Sequence, residues 1–223
     1  MELFIGASVE RPPGPKYQSA LDFAELRFPS TLPRPQTFAR WRGSVGEDFT
    51  VSLVAPLRAI GSGEAAFSLD DSQREGIEWL GRAAQAAEAS AIVLPTAGRL
   101  STGQRDRDRF ARYLEALRTA AEEVALFWQP GGLWDLEIAA PFAEKLGVSL
   151  ALNPLNEEVL PEGSSFYFRL EAIGGRRRFT TSTAYELLPL IQSRMIQSLY
   201  ISILSERSVQ EAAALRPLLV PEG

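Results

Sequence analysis

The feature that most limits what this chain can become is a unit that recurs along it: a short apolar strand pattern, a loop, then a helical pattern. The clearest copy runs from Asp22 to Pro56. It holds a strand pattern at Phe23 to Phe28, a proline-marked loop, an amphipathic helix carrying Phe38 and Trp41, and a second strand at Phe49 to Val54. Two parallel strands can be joined only by a crossover, usually helical, that covers the sheet face. Strand patterns stand near residues 3, 24, 50, 92, 125, 149, 167 and 200, with helical patterns between most of them. Several are continuous apolar runs such as Ile92-Val93-Leu94, as expected when helices bury the outer face of a parallel sheet. Eight such units close naturally into a compact TIM-like (β/α)₈ barrel spanning residues 1–223 as one domain. An open doubly wound sheet is the alternative.

The connections carry their own signals. Asp70 or Asp71 can cap a helix with Ile77, Leu80, Ala84 and Ala87 on one face, and Gly147 suits the residue just past a helix ending at Leu146. Ser182 or Thr183 can cap a helix that Pro189 should bend or interrupt. Pro56 to Phe67, with Gly61 and Gly63, reads as a mobile surface loop. Asn153 to Gly163 is too broken by proline for a full helix.

Composition excludes more than it suggests. The 223 residues include no cysteine and no histidine. Disulfides, thiolate nucleophiles, the usual structural zinc sites, Ser-His-Asp triads and imidazole bases are therefore ruled out. Any catalysis must rest on carboxylates, arginine, lysine, tyrosine or hydroxyls, with an oxygen-liganded Mg²⁺ or Mn²⁺ as the compatible metal. The net charge of -5 offers no overall attraction to nucleic acid or to an anionic membrane. No apolar run reaches membrane-spanning length and the first residues lack a signal-peptide pattern, so a cytoplasmic location is expected. No nucleotide motif is present: Gly61-Ser62-Gly63 lacks the lysine and spacing of a P-loop. No cofactor is called for.

The run from Phe23 to Pro56 resembles the signature of the YecE-like family, known as domain of unknown function 72. In that signature a Glu-containing strand leads to a Leu-Pro, a Pro-x-Thr-Phe-x-x-Trp helix and a Phe-rich strand. Phe4-Ile5-Gly6, Val93-Leu94-Pro95, Phe166 to Leu170 and a strand at Tyr200 extend the likeness over nearly the whole chain. The resemblance implies a TIM-barrel-like fold and brings little function with it. This chain also departs from the family. It has Leu126-Phe127-Trp128-Gln129 where members carry Glu-Phe-Arg-His, Arg169-Leu170-Glu171-Ala172 where they carry Arg-Leu-His-Gly, and Leu204-Ser205-Glu206 near their Asn-Asn pair. Val54 replaces their usual lysine, so Glu25 and Arg169 alone clearly survive from the polar set.

In a TIM barrel the chemistry gathers at the C-terminal ends of the strands. Placed there are Ser8 and Glu10, Glu25 with Arg27, Thr96, Gln129, Asn153, Arg169 with Glu171, and Glu206. Glu25 and Arg169 are charged residues among apolar neighbours, so each needs a partner to offset desolvation. A structural ion pair, anion binding by Arg169, and acid–base work by Glu25 are the three roles open to them. Glu171 shares the face of Arg169 and can complete a carboxylate pair with Glu25. Arg27, Gln129, Asn153 and Trp128 are the remaining ligand-binding candidates. Trp128, Trp134 and Tyr167 can form an aromatic platform or simply pack a core, and Gly174 to Arg178 is the one concentrated basic run.

Two functions follow. One is a degenerate, non-catalytic YecE-like barrel that binds a small anionic or polar ligand or a protein partner. The other is a carboxylate-dependent hydrolase, with Mg²⁺ or Mn²⁺ assistance if any, using Glu25 and Glu171 at the barrel mouth.

Overall fold

A computed structural model describes residues 1–29, 31–96, 98–157, 159–172 and 178–220. Eight parallel strands form a closed barrel in chain order: β1 (Glu2–Val9), β2 (Phe23–Leu26), β3 (Thr50–Val54), β4 (Ala91–Pro95), β5 (Ala125–Gln129), β6 (Ser149–Leu152), β7 (Ser165–Glu171) and β8 (Ser198–Leu204). β1 pairs with β8 from Glu2 opposite Ser198 to Ala7 opposite Ile203, which seals the cylinder and excludes the open sheet.

Helices α1 (Pro15–Gln18), α2 (Pro35–Arg42), α3 (Leu57–Ile60), α4 (Asp71–Ala87), α5 (Gln104–Ala120), α6 (Leu136–Leu146), α7 (Thr181–Gln192) and α8 (Ser208–Leu219) surround it. Between β6 and β7 the described chain forms a 3₁₀ turn at Pro154–Asn156, in keeping with the prolines of that segment. Asp70 caps α4 by accepting from the Gln73 N–H at 2.9 Å, and Gly147 ends α6 with a φ of 63°. At α7 the cap is Thr180, ahead of the expected Ser182 or Thr183; the Thr183 hydroxyl completes a reciprocal capping box. The helix continues through Pro189 to Gln192.

Strand alternation sorts the core into two compartments. Phe23, Val54, Ala91, Val93, Phe127, Ala151, Tyr167 and Tyr200 fill the cylinder itself. Tyr167 stacks on Tyr200 with ring centres 5.4 Å apart, and Phe127 tilts against Tyr167 at 5.2 Å, so the lower barrel is packed solid. A larger apolar layer lies between the barrel and its helices.

The segment after β3 overturns the mobile-loop expectation. Residues Pro56 to Phe67 form α3 and a 3₁₀ turn at Gly63–Ala65, with Ala59, Ile60, Ala66 and Phe67 buried. Phe67 meets Phe110 and Tyr113 edge-on at 5.2 and 5.0 Å. The buried Gln73 amide donates to the Ala65 carbonyl at 2.6 Å and accepts from the Leu69 N–H at 3.0 Å, tying the segment to α4. Small residues that look like flexibility in the sequence here permit close packing instead: Gly76 lies so near Ala59 that a β-carbon would sit 2.6 Å from its nitrogen.

Candidate functional site

Because successive strand residues alternate between faces, Phe23 and Glu25 of β2 both point into the cylinder, as do Tyr167, Arg169 and Glu171 of β7. Glu25 stands in register with Ser8 of β1 and Ser52 of β3, and Arg169 with Ser202 of β8. Glu25 has no exposed surface and Arg169 retains 5%. The two side chains meet in a fork. Arg169 Nε donates to Glu25 Oε2 at 2.9 Å and Nη2 donates to Oε1 at 3.0 Å. The Tyr167 hydroxyl adds a third donor to Glu25 Oε2 at 2.9 Å and lies 2.6 Å from the Ser52 hydroxyl. On its outer side Arg169 Nη1 donates to Gln129 Oε1 and, at 3.1 Å, to Glu171 Oε1; Gln129 Nε2 donates to the same Glu171 oxygen at 3.0 Å.

The electrostatics follow from this geometry. Burial works against the Arg169 cation, but the charge and hydrogen bonds of Glu25, and then Glu171, outweigh it and hold the pKa above its ordinary value. Burial and then the Glu25 carboxylate push Tyr167 well above the usual phenol range, so it remains a neutral donor. Glu25 and Glu171 are brought to the same mouth with Arg169 bonded to both, so the two carboxylates do not form an open pair around a substrate. Among the described residues no three acidic side chains converge as a metal-binding set.

Other residues fall elsewhere. Arg27 lies just past β2, where it pairs with Glu10 at 3.0 Å with both side chains about half exposed, outside the network. Trp128 sits between inward-facing Phe127 and Gln129, so it faces the helices. It is fully buried against Trp134, at 4.9 Å between ring centres, and donates to the Thr96 hydroxyl at 2.8 Å. Tyr167 is inside the barrel and Trp134 outside, so the aromatic platform does not assemble. Glu206 is exposed beyond β8. Of the basic run, Gly174 to Arg177 lie outside the described residues.

Toward solvent, a shallow cavity of about 250 Å³ is lined by Gln129, Trp134, Asn153, Asn156, Glu157 and Glu171, among others. Asn153 uses its side-chain oxygen to accept from the Leu155 N–H at 3.2 Å, capping the 3₁₀ turn. Burial and then the charge of Asp135 raise the Glu157 carboxyl above its ordinary value. Sequence reasoning offered Tyr167 only as part of an aromatic platform, and it missed Ser52 and Glu157 as members of this region. The signal for Tyr167 was present: with Arg169 and Glu171 it places a polar group at every second position of an otherwise apolar strand.

No protein-family model matches the sequence, and no curated protein matches it significantly. Solved structures do match. A DUF72 family protein from Enterococcus faecalis V583 superposes with a TM-score of 0.73 at 14% identity, over 99% of this chain and 98% of that one. A xylose isomerase domain containing protein from Salmonella typhimurium LT2 gives 0.63 at 12% identity, covering 96% of both chains. Endonuclease IV from Thermus thermophilus gives 0.55 at 15% identity, over 98% of this chain and 97% of that one. The chain therefore shares, from end to end, the closed eight-stranded TIM-barrel fold of a DUF72 family protein.

Proposed function

We propose that this chain is a divergent YecE-like barrel in which the Glu25–Arg169 pair has a structural task, and that it acts as a binding module through the cavity beside Glu171. The observation that carries this reading is the enclosure of Glu25: a carboxylate with no exposed surface, holding three hydrogen bonds from Arg169 and Tyr167 and so out of a substrate's reach. A general base needs a free lone pair within reach of substrate. Arg169, committed to Glu25, Gln129 and Glu171, is likewise withdrawn from anion binding.

The groups left facing solvent set the ligand class. Glu171 and Glu157 line the cavity with the amides of Gln129, Asn153 and Asn156, and Asp135 is close enough to act on Glu157. This negative field repels anions and favours a neutral polar or cationic group. Calorimetric titration with a panel of neutral polyols and primary amines tests the reading, on the native chain and on Glu157→Gln. At least one member should bind, and an amine should bind more weakly to the variant. Binding that ignores Glu157→Gln, or no binding by any member, would defeat it. For the structural task, Glu25→Gln should lower the melting temperature, whereas a catalytic Glu25 would lose turnover and keep its stability.

A further inference from the structure

A second groove opens on the same end of the barrel, on the far side of the loop between β5 and α6. We propose that it binds a small tetrahedral oxyanion, the phosphate group of free phosphate or of a phosphomonoester. The groove encloses about 570 Å³ between the segments that follow β3, β4 and β5. Three guanidinium groups line it, Arg99, Arg105 and Arg109, against two carboxylates, Glu64 and Asp106.

The carboxylates do not neutralise the arginines evenly. Asp106 Oδ2 accepts from the Ser101 N–H at 2.9 Å, and its Oδ1 accepts from Arg109 Nη2 at 2.9 Å. Arg109 Nη1 donates to the Glu64 backbone carbonyl, leaving its buried Nε without an acceptor among the described residues. Arg105 is exposed and makes no hydrogen bond or ion pair among the described residues, and it stands in the first turn of α5. A cation there opposes the helix macrodipole, and a bound anion would relieve both charges at once. The N-cap of that 17-residue helix is Gly103, whose lack of a side chain leaves the leading amides to other acceptors.

The backbone around the groove is open to an anion. Gly63, Gly98 and Gly132 hold φ values of 54°, 69° and 71°, a left-handed conformation that glycine adopts freely. Added β-carbons at Gly63 and Gly98 would meet no atom within 4 Å, so the main chain borders open space on this rim. Bare amides and forked guanidinium donors are the groups that recognise phosphate oxygens. The site is independent of the acidic cavity beside Glu171.

The test is calorimetric titration of the native chain with inorganic phosphate and with glycerol 3-phosphate, at constant ionic strength in chloride buffer. Saturable binding of one or both is expected, and which of them binds tells a free-phosphate site from an ester site. Arg105→Glu should cut the affinity about tenfold or more, from the lost charge-assisted contact, while melting in chloride stays the same or rises slightly as the cation leaves the helix N-terminus. Glu157→Gln should leave phosphate affinity unaltered, so failure of the acidic cavity and failure of this groove can be told apart. The proposal is overturned if neither phosphate binds, or if Arg105→Glu binds them as tightly as the native chain.

Discussion

Arg169 and Glu25, separated by 144 residues in the sequence, share two hydrogen bonds of 2.9 and 3.0 Å inside the barrel mouth. Neither charge could be held there alone, because the cost of removing an ion from water is recovered only through a matched partner with good geometry. Arg169→Met should therefore leave Glu25 buried and unpaired and reduce stability by roughly 3–5 kcal/mol. Replacing both, as in Glu25→Leu with Arg169→Met, should recover much of that loss, since two apolar groups of similar volume carry no desolvation cost. Urea melts of the two single variants and the double variant measure the coupling directly. Strictly additive losses would show that the pair does not act as a unit.

Tyr167 links this pair to the opposite wall of the barrel, with its hydroxyl bonded to Glu25 and close to Ser52. Tyr167→Phe keeps the ring stacked on Tyr200 but strips one donor from a buried carboxylate and the partner from a buried hydroxyl. The expected loss is about 1–3 kcal/mol, the cost of leaving buried polar groups unsatisfied. Denaturant unfolding should show it as a lower midpoint with an unchanged slope. A midpoint equal to the native one would mean that the hydroxyl contributes nothing to the mouth.

The tyrosines also set the alkaline limit of the fold. Tyr17, Tyr113, Tyr167 and Tyr200 all have pKa values raised in the folded chain, in each case first by burial. A raised folded value means that the unfolded chain loses these protons first, at a phenol pKa of about 10. Their contribution is thus fully present below pH ~10 and drains away as pH rises above it. Each phenol that ionises only on unfolding adds about 1.4 kcal/mol of destabilisation per pH unit. Thermal melts between neutral pH and pH 11, followed with phenolate absorbance, should show the signal of these four tyrosines appearing together with unfolding. Phenolate absorbance before the melt in excess of one tyrosine, the exposed Tyr185, would contradict the burial argument.

The barrel was legible in the sequence because its signal is repetitive: each strand is a short apolar run set between loops, and eight of them leave few ways to cover both sheet faces. The Glu25–Arg169 pair was legible for a related reason, as charges in apolar strands must find each other or fail. Trp128 shows where this logic stops. Its neighbours Phe127 and Gln129 face inward, and a one-residue error in parity moves a side chain from the mouth to the outer layer. Arg27 was misjudged for want of the strand's end, since β2 stops at Leu26 and its pairing with Glu10 belongs to the surface. The Pro56 to Phe67 segment misled because small residues serve flexibility and tight packing equally well, and only the contacts of Phe67 and Gln73 decide which.

Two glycines near the start of the chain make this ambiguity testable. At Gly6 an added β-carbon would lie 1.9 Å from the carbonyl oxygen of Phe23, which also accepts from the Tyr17 hydroxyl at 2.7 Å. The β1–β2 seam cannot take a methyl group without moving that carbonyl and the tyrosine that also receives the Ala7 N–H at 2.8 Å. At Gly14 the φ of −85° suits any residue and the added carbon would meet nothing within 4 Å. Gly6→Ala should therefore cost about 1–3 kcal/mol or more through overpacking. Gly14→Ala should be neutral or stabilise by about 0.4–1 kcal/mol by restricting the unfolded chain. Comparing both melting temperatures with that of the native chain decides the matter, because equal effects at the two sites would mean that β1 and β2 do not approach as closely as their register requires.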